Sequence, residues 1–257
     1  MADSHELPGA MPRRLIWEEI ALVLALSLLP SLVYSVLNLI ETPVIKGTSV
    51  ALYPQENLPL VQVLQRFART VFDLAPFWLV LYLIRRGREE LANFGLDTGR
   101  LRREIPVGLI AGTVLFALSA LPYLAAVYFG IQRQVIAASP SKFWWGLPLF
   151  ILGAAGAGLV EEGVMTGYLI PRLTQTGMAT KWAVLASAAF RGGYHLYQGW
   201  GGFIGSFFMG LLFGAAYLRY RRVWPLIIAH FWFDVLAGFA TWFMTGNCLL
   251  GTLGTRC

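Results

Sequence analysis

The sequence predicts an all-α fold, a polytopic membrane helix bundle. Three observations carry this. Apolar residues make up 57% of the 257 positions and charged residues only 13%, roughly half the charged share of a soluble domain. The charges fall in clusters with long uncharged runs between them. Most of those runs approach the ~20 residues that a helix needs to cross a bilayer.

Seven such runs can be marked, which predicts about seven transmembrane helices. The first covers 17–40 and follows Arg13 and Arg14. It outlasts the apolar core of a signal peptide and no A-x-A site follows it, so it reads as a retained anchor. The second covers 69–84, with an amphipathic turn before it from Leu58, and is short for a span. The third covers 105–129 and the fourth 143–170. The fifth, 182–196, is again short. The sixth covers 201–218 and the seventh 223–243. Trp144, Trp145, Trp182, Trp224 and Trp242 lie near segment ends, where interfacial aromatics belong. The stretch 198–202 reads as a tight turn.

Basic residues set the orientation. With the N-terminus cytoplasmic, the inner connections hold thirteen Lys and Arg: Arg13, Arg14, Arg85, Arg86, Arg88, Arg100, Arg102, Arg103, Arg172, Lys181, Arg219, Arg221 and Arg222. The outer ones hold four: Lys46, Arg133, Lys142 and Arg256. That bias follows the positive-inside rule. The formal net charge of +6 is then explained by topology and by anionic lipid headgroups. No basic stripe is interleaved with exposed aromatics, so nucleic acid is not an expected partner.

Glycines cluster on two helices: Gly153, Gly156 and Gly158 on the fourth, and Gly205, Gly210 and Gly214 on the sixth. Small residues let helices approach closely in lipid, so both helices are expected to pack tightly within the bundle. The chain divides into a three-helix region with a basic loop (1–140), a four-helix core (141–245) and a tail (246–257). Cys248 and Cys257 lie in that tail, where a disulfide or two free thiols both fit. No CxxC exists, which argues against a cysteine zinc site.

An ionisable side chain in the bilayer costs several kcal/mol and demands an explanation. Six fall in the last four segments: Glu161, Glu162, Arg191, His195, His230 and Asp234. At ~1.5 Å rise per residue, those on the fourth, fifth and seventh helices reach a common level. His230 and Asp234 are spaced i,i+4, as are Arg191 and His195, so each pair shares a helix face. Glu161 and Glu162 point about 100° apart on an α-helix. One can face a cavity while the other braces a neighbouring helix. Glutamate in apolar surroundings can take a proton from water. Histidine can polarise that water, bind a metal or donate to an oxyanion. The chemistry these groups suit is hydrolysis. No G-x-S-x-G elbow and no HExxH motif is present.

Three stretches, Glu161-Glu162-Gly-Val-Met-Thr-Gly-Tyr-Leu, Tyr194-His195-Leu-Tyr-Gln-Gly and His230-Phe-Trp-Phe-Asp234, resemble the CPBP family. That family covers type II CAAX prenyl proteases and bacteriocin-processing enzymes. The resemblance spans about 143–245, and the first 140 residues carry none of its motifs. It implies an intramembrane endopeptidase of the bacterial plasma membrane, acting on a membrane-associated, CAAX-like peptide or protein. Its catalytic positions fall on Glu161, Glu162, His195, His230 and Asp234. Three departures stand out. Thr166 occupies a place where the family usually has arginine, Arg191 one where it has phenylalanine, and Asp234 one where it often has asparagine. We expect Arg191 to supply the positive charge that Thr166 lacks.

Two mechanisms fit. In one, His195, His230 and Glu162 hold a divalent metal such as zinc and the other glutamate is the base. In the other, Glu161 and His195 activate water and His230 completes an oxyanion hole. The metal-free route is the working expectation. Asp234 would orient His230 or touch a metal. Three readings compete: a buried ion network that only locks the bundle, a proton-coupled transporter, and a catalytically silent scaffold or immunity protein on the same fold.

Overall fold

A computed structural model of the chain describes residues 11–51, 60–136 and 145–246. Cys248 and Cys257 lie outside the described residues. Helix α1 (Arg13–Leu26) runs into α2 (Leu29–Glu41) through a 54° bend. Pro30 opens α2 and cannot continue the helical ladder. Ser27 donates back to the Val23 carbonyl at 2.5 Å. The first apolar run is therefore a broken pair of helices. The second begins earlier than its hydropathy implied. Helix α3 (Leu60–Asp73) leads into α4 (Ala75–Arg86), and Val63–Arg86 is one 24-residue candidate span.

Helix α5 (Leu101–Tyr128) is the longest. Helix α6 (Gly146–Glu161), a π-helical stretch (Glu162–Leu169) and α7 (Ile170–Gln175) together form a 30-residue span. Then come α8 (Thr180–Tyr194), α9 (Trp200–Tyr220) and α10 (Trp224–Gly246). Short 3-10 turns cover Leu91–Phe94 and Leu196–Gln198. Strands β1 (Ser49–Ala51) and β2 (Gln134–Ile136) pair in parallel. This is an all-α polytopic bundle with one small two-stranded ribbon among the described residues.

Against the expectation of about seven spans, five helices among the described residues are long and apolar enough to cross, or six when the bent α1–α2 pair counts as one. The shortfall is α8, whose 15 residues rise only about 22 Å. It still runs from one end of the bundle toward the other. At one end Arg172 bonds Glu19 and Glu89, and Arg222 bonds Asp97 and Glu104. At the opposite end Arg133 donates to the Asn38 side chain and to the carbonyls of Thr42 and Tyr197. Connections expected on one side thus meet one another.

Burial shows which helix is central. Half of the most apolar stretch of Gly146–Gln175 is buried, against 11% of that of α5. Leu118, Leu121 and Phe129 of the third apolar run are more than 70% exposed, as a lipid-facing surface requires.

Close helix contacts depend on missing side chains. A Cβ on Gly112 would stand 2.6 Å from the Ala229 carbonyl oxygen, so α5 lies directly on α10. On the two glycine-rich helices, Gly158 faces the Ile227 carbonyl of α10, while Gly210 and Gly214 face Ala188 and Val184 of α8. The glycines of α6 and α9 therefore serve different partners. Gly205 has open space around it and follows ordinary glycine enrichment in membranes.

Gly112→Val should lower the unfolding midpoint in detergent micelles, since overpacking costs about 1–3 kcal/mol. Gly205→Ala, measured alongside, should leave the midpoint unchanged.

Candidate active site

The two glutamates sit where the central helix changes its winding. Glu161 ends α6, and Glu162 opens the π-helical stretch, all eight residues of which are buried. A π turn uses i→i+5 bonds and is rare except as an insertion, frequently at functional sites. Its neighbours fit it closely. A Cβ on Gly163 would meet the Phe77 ring at 2.5 Å, and one on Gly167 would meet Val223 at 3.0 Å. Ser187 of α8 donates its hydroxyl to the Met165 carbonyl at 2.8 Å. Outside help of this kind satisfies a backbone acceptor within apolar surroundings.

Glu162 is fully buried and every side of its carboxylate is engaged. Oε1 lies 2.6 Å from Arg191 Nη1 and 2.7 Å from His230 Nδ1. Oε2 accepts the Thr166 hydroxyl at 2.9 Å. Glu161 differs. Its Oε2 accepts the Tyr194 hydroxyl at 2.7 Å, with Arg191 Nη2 at 3.7 Å. Its Oε1 accepts nothing from the described residues. The side chain keeps 16% exposure.

Arg191 is 2% exposed and joins the two glutamates to α10. Its Nη2 also stands 3.0 Å from His230 Nδ1, and its guanidinium lies over the Phe213 ring. The positive charge beside Glu162 thus comes from α8, while Thr166 contributes a neutral hydroxyl. On α10, His230 Nε2 is 3.6 Å from Asp234 Oδ2. Asp234 has the more open carboxylate, at 32%.

His195 caps α8, and its Nδ1 lies 3.0 Å from the Arg191 carbonyl. A carbonyl only accepts, so Nδ1 carries the proton and Nε2 of the neutral ring presents a lone pair. The ring packs on Tyr194 at 4.7 Å and Tyr197 at 6.2 Å. Tyr194, on which the His195 ring packs, bonds Glu161, and Asp234 stands beside His230. All six ionisable groups singled out in the sequence therefore share one cluster.

The shortness of α8 explains how His195 gets there. Its far end is met by the backbone that follows α5, with Arg133 N donating to the Gln198 carbonyl at 2.8 Å and Gly201 N to the Ile131 carbonyl at 3.0 Å. At this junction a Cβ on Gly199 would fall 2.8 Å from the Ile131 oxygen, and its φ is +102°. Only glycine suits both conditions.

The donor set bears on a metal. Both ring nitrogens of His230 face carboxylates, and Glu162 is already engaged by the Thr166 hydroxyl, His230 and the Arg191 ion pair. No group of three His, Cys, Asp or Glu among the described residues is arranged to hold an ion. His195, His230 and Glu162 as placed do not fit one.

Two supporting residues escaped the sequence reading: Tyr194, the hydrogen-bond partner of Glu161, and Ser187, the partner of the π-helical stretch. Tyr194 was visible beside His195 in its motif. Nothing in the local spacing showed that its ring reaches back to α6.

Residues 141–236 match the family model described as type II CAAX prenyl endopeptidase Rce1-like. The matched stretch contains all three polar motifs, from Glu161 to Asp234, and is similar to a family described as an endopeptidase. Together with the apolar helices, it marks a multi-pass integral membrane protein. No curated protein and no solved structure matches the chain. Helices α1 to α5 lie outside the matched residues but pack on them. Ser35 of α2 donates to the Tyr194 carbonyl at 2.6 Å, and Leu32 packs on Gly193.

Arg191→Leu leaves two buried carboxylates without their cation. It should destabilise the fold by about 3–5 kcal/mol, read from unfolding in micelles. Adding Glu162→Leu should recover part of that loss.

Proposed function

We propose that this protein is an intramembrane endopeptidase that cuts a membrane-anchored peptide with water activated by Glu161 and His195. The observation that carries this is the unequal state of the two glutamates. Glu162 is closed off by two hydrogen bonds and an ion pair, whereas Glu161 keeps one oxygen unpartnered in a side chain that is 16% exposed. A base needs a free lone pair within reach of its proton.

In this reading water lies between Glu161 Oε1 and the lone pair of His195 Nε2, both acceptors. Glu161 takes a proton as the water oxygen attacks the scissile carbonyl. The negative charge developing on the carbonyl oxygen accepts from His230 Nε2–H, whose separation from Asp234 exceeds hydrogen-bond length. Asp234 and Glu162, at opposite ring nitrogens, orient His230 and balance its charge. The amine leaves with the proton held by Glu161. Removing water from around these dipoles strengthens each of them. Arg191 holds the carboxylates in register and stays charged throughout.

The family description supports a CAAX-type substrate. The charge bias across the connections supports a cytoplasmic N-terminus, and we assign the protein to a bacterial plasma membrane. No metal is needed for this chemistry.

The purified protein should cleave a membrane-anchored peptide. Glu161→Ala should lower the rate about a thousandfold with an unchanged unfolding midpoint, and a chelator should leave the wild-type rate intact. Activity surviving in Glu161→Ala would defeat the assignment. Loss on chelation with recovery on added zinc would return the metal route.

A further inference from the structure

Tyr194 is 4% exposed, and its hydroxyl donates to Glu161 Oε2 at 2.7 Å. It makes the only hydrogen bond to the Glu161 carboxylate among the described residues, since Arg191 Nη2 at 3.7 Å lies beyond hydrogen-bond length. The tyrosine is held on three sides. Its ring is packed between Phe190 at 6.1 Å and His195 at 4.7 Å. Its carbonyl accepts the Ser35 hydroxyl at 2.6 Å. The preceding Gly193 lies against Leu32, so α2 fits closely there.

A glutamate side chain has three torsions, and a buried base with a loose carboxylate would sample several directions. Anchoring one oxygen leaves the other only the orientations that its planar group allows. The free oxygen is the one the proposed hydrolysis requires.

We infer that Tyr194 is a positioning residue: its hydroxyl fixes Glu161 Oε2 and so aims Oε1 at the hydrolytic water. The inference rests on the hydrolase reading for its kinetic consequence, and on geometry alone for the contact. Tyr194 acts through Glu161 and touches neither water nor substrate. Main-chain and ring packing keep it in place when the hydroxyl is removed, which makes phenylalanine the informative replacement.

The experiment uses the full-length protein in micelles or liposomes. A membrane-anchored peptide serves as substrate, and an infrared difference spectrum is taken against Glu161→Gln to isolate the Glu161 carboxylate stretches. For Tyr194→Phe we expect kcat to fall about tenfold or more, the scale of a hydrogen bond to a charged group. KM should stay unchanged, the protein should stay folded with the unfolding midpoint lowered by no more than one lost hydrogen bond, and the separation of the carboxylate stretches should shift. A lowered kcat with unmoved stretches, or moved stretches with unchanged kcat, overturns the inference. A wild-type protein that cleaves nothing but whose stretches still move on Tyr194→Phe keeps the positioning contact and removes the hydrolase reading, so the two failures are distinct.

Discussion

Two adjacent carboxylates inside a bilayer can stay there only with a cation between them and their neighbours, and Arg191 is that cation. Its guanidinium reaches Glu161, Glu162 and His230 from a third helix. Isolated ions in hydrocarbon are prohibitive, and pairing with further hydrogen bonds is what makes them tolerable. From this follow the near-complete burial of Arg191, the saturation of Glu162, and the unpartnered oxygen of Glu161. If the arginine stood on the same helix as the glutamates, it would satisfy them without tying α6 to α8. Placed on α8, it also fixes where His195 begins.

The π-helical stretch has a related effect. One wide turn beginning at Glu162 changes the angular relation of everything after it to everything before it. Glu161 closes an ordinary α-helix, and the following residues reach Thr166, Tyr168 and Arg172 in a different register. Tyr168 then donates to Glu19, and Arg172 lies against the rings of both Phe94 and Tyr168 while pairing with Glu19 and Glu89. The rewound helix is thus clasped at its far end by α1 and the connection after α4. Regions without family motifs supply much of the rigidity under the motif-bearing helices.

The bundle was legible because its signal is long-range composition: runs of apolar residues with charges at their ends. The cluster was legible because ionisable residues in such runs stand out, and because two i,i+4 spacings show faces without needing tertiary knowledge. The break at Pro30 was visible as a residue but not as a 54° bend, since hydropathy has no angular content. The π turn was invisible, as no local residue pattern separates it from an α-helix. It depends on Phe77, Val223 and Ser187, far apart in sequence. The same is true of Tyr194. Its motif placed it beside His195, but only the packing of α8 against α6 turned its hydroxyl toward Glu161.

Hydrolysis consumes water, and hydrocarbon about 30 Å thick offers none. The 15-residue α8 covers about 22 Å of that depth, and bilayers thin beside helices too short for them. Above its end stand Gln132, Arg133 and Gln134, all buried, together with the peptide groups of Leu196–Gln198. Arg133 donates to the Tyr197 and Gln198 carbonyls there, so the truncated helix ends on polar groups supplied by the segment after α5 rather than on further apolar turns of its own.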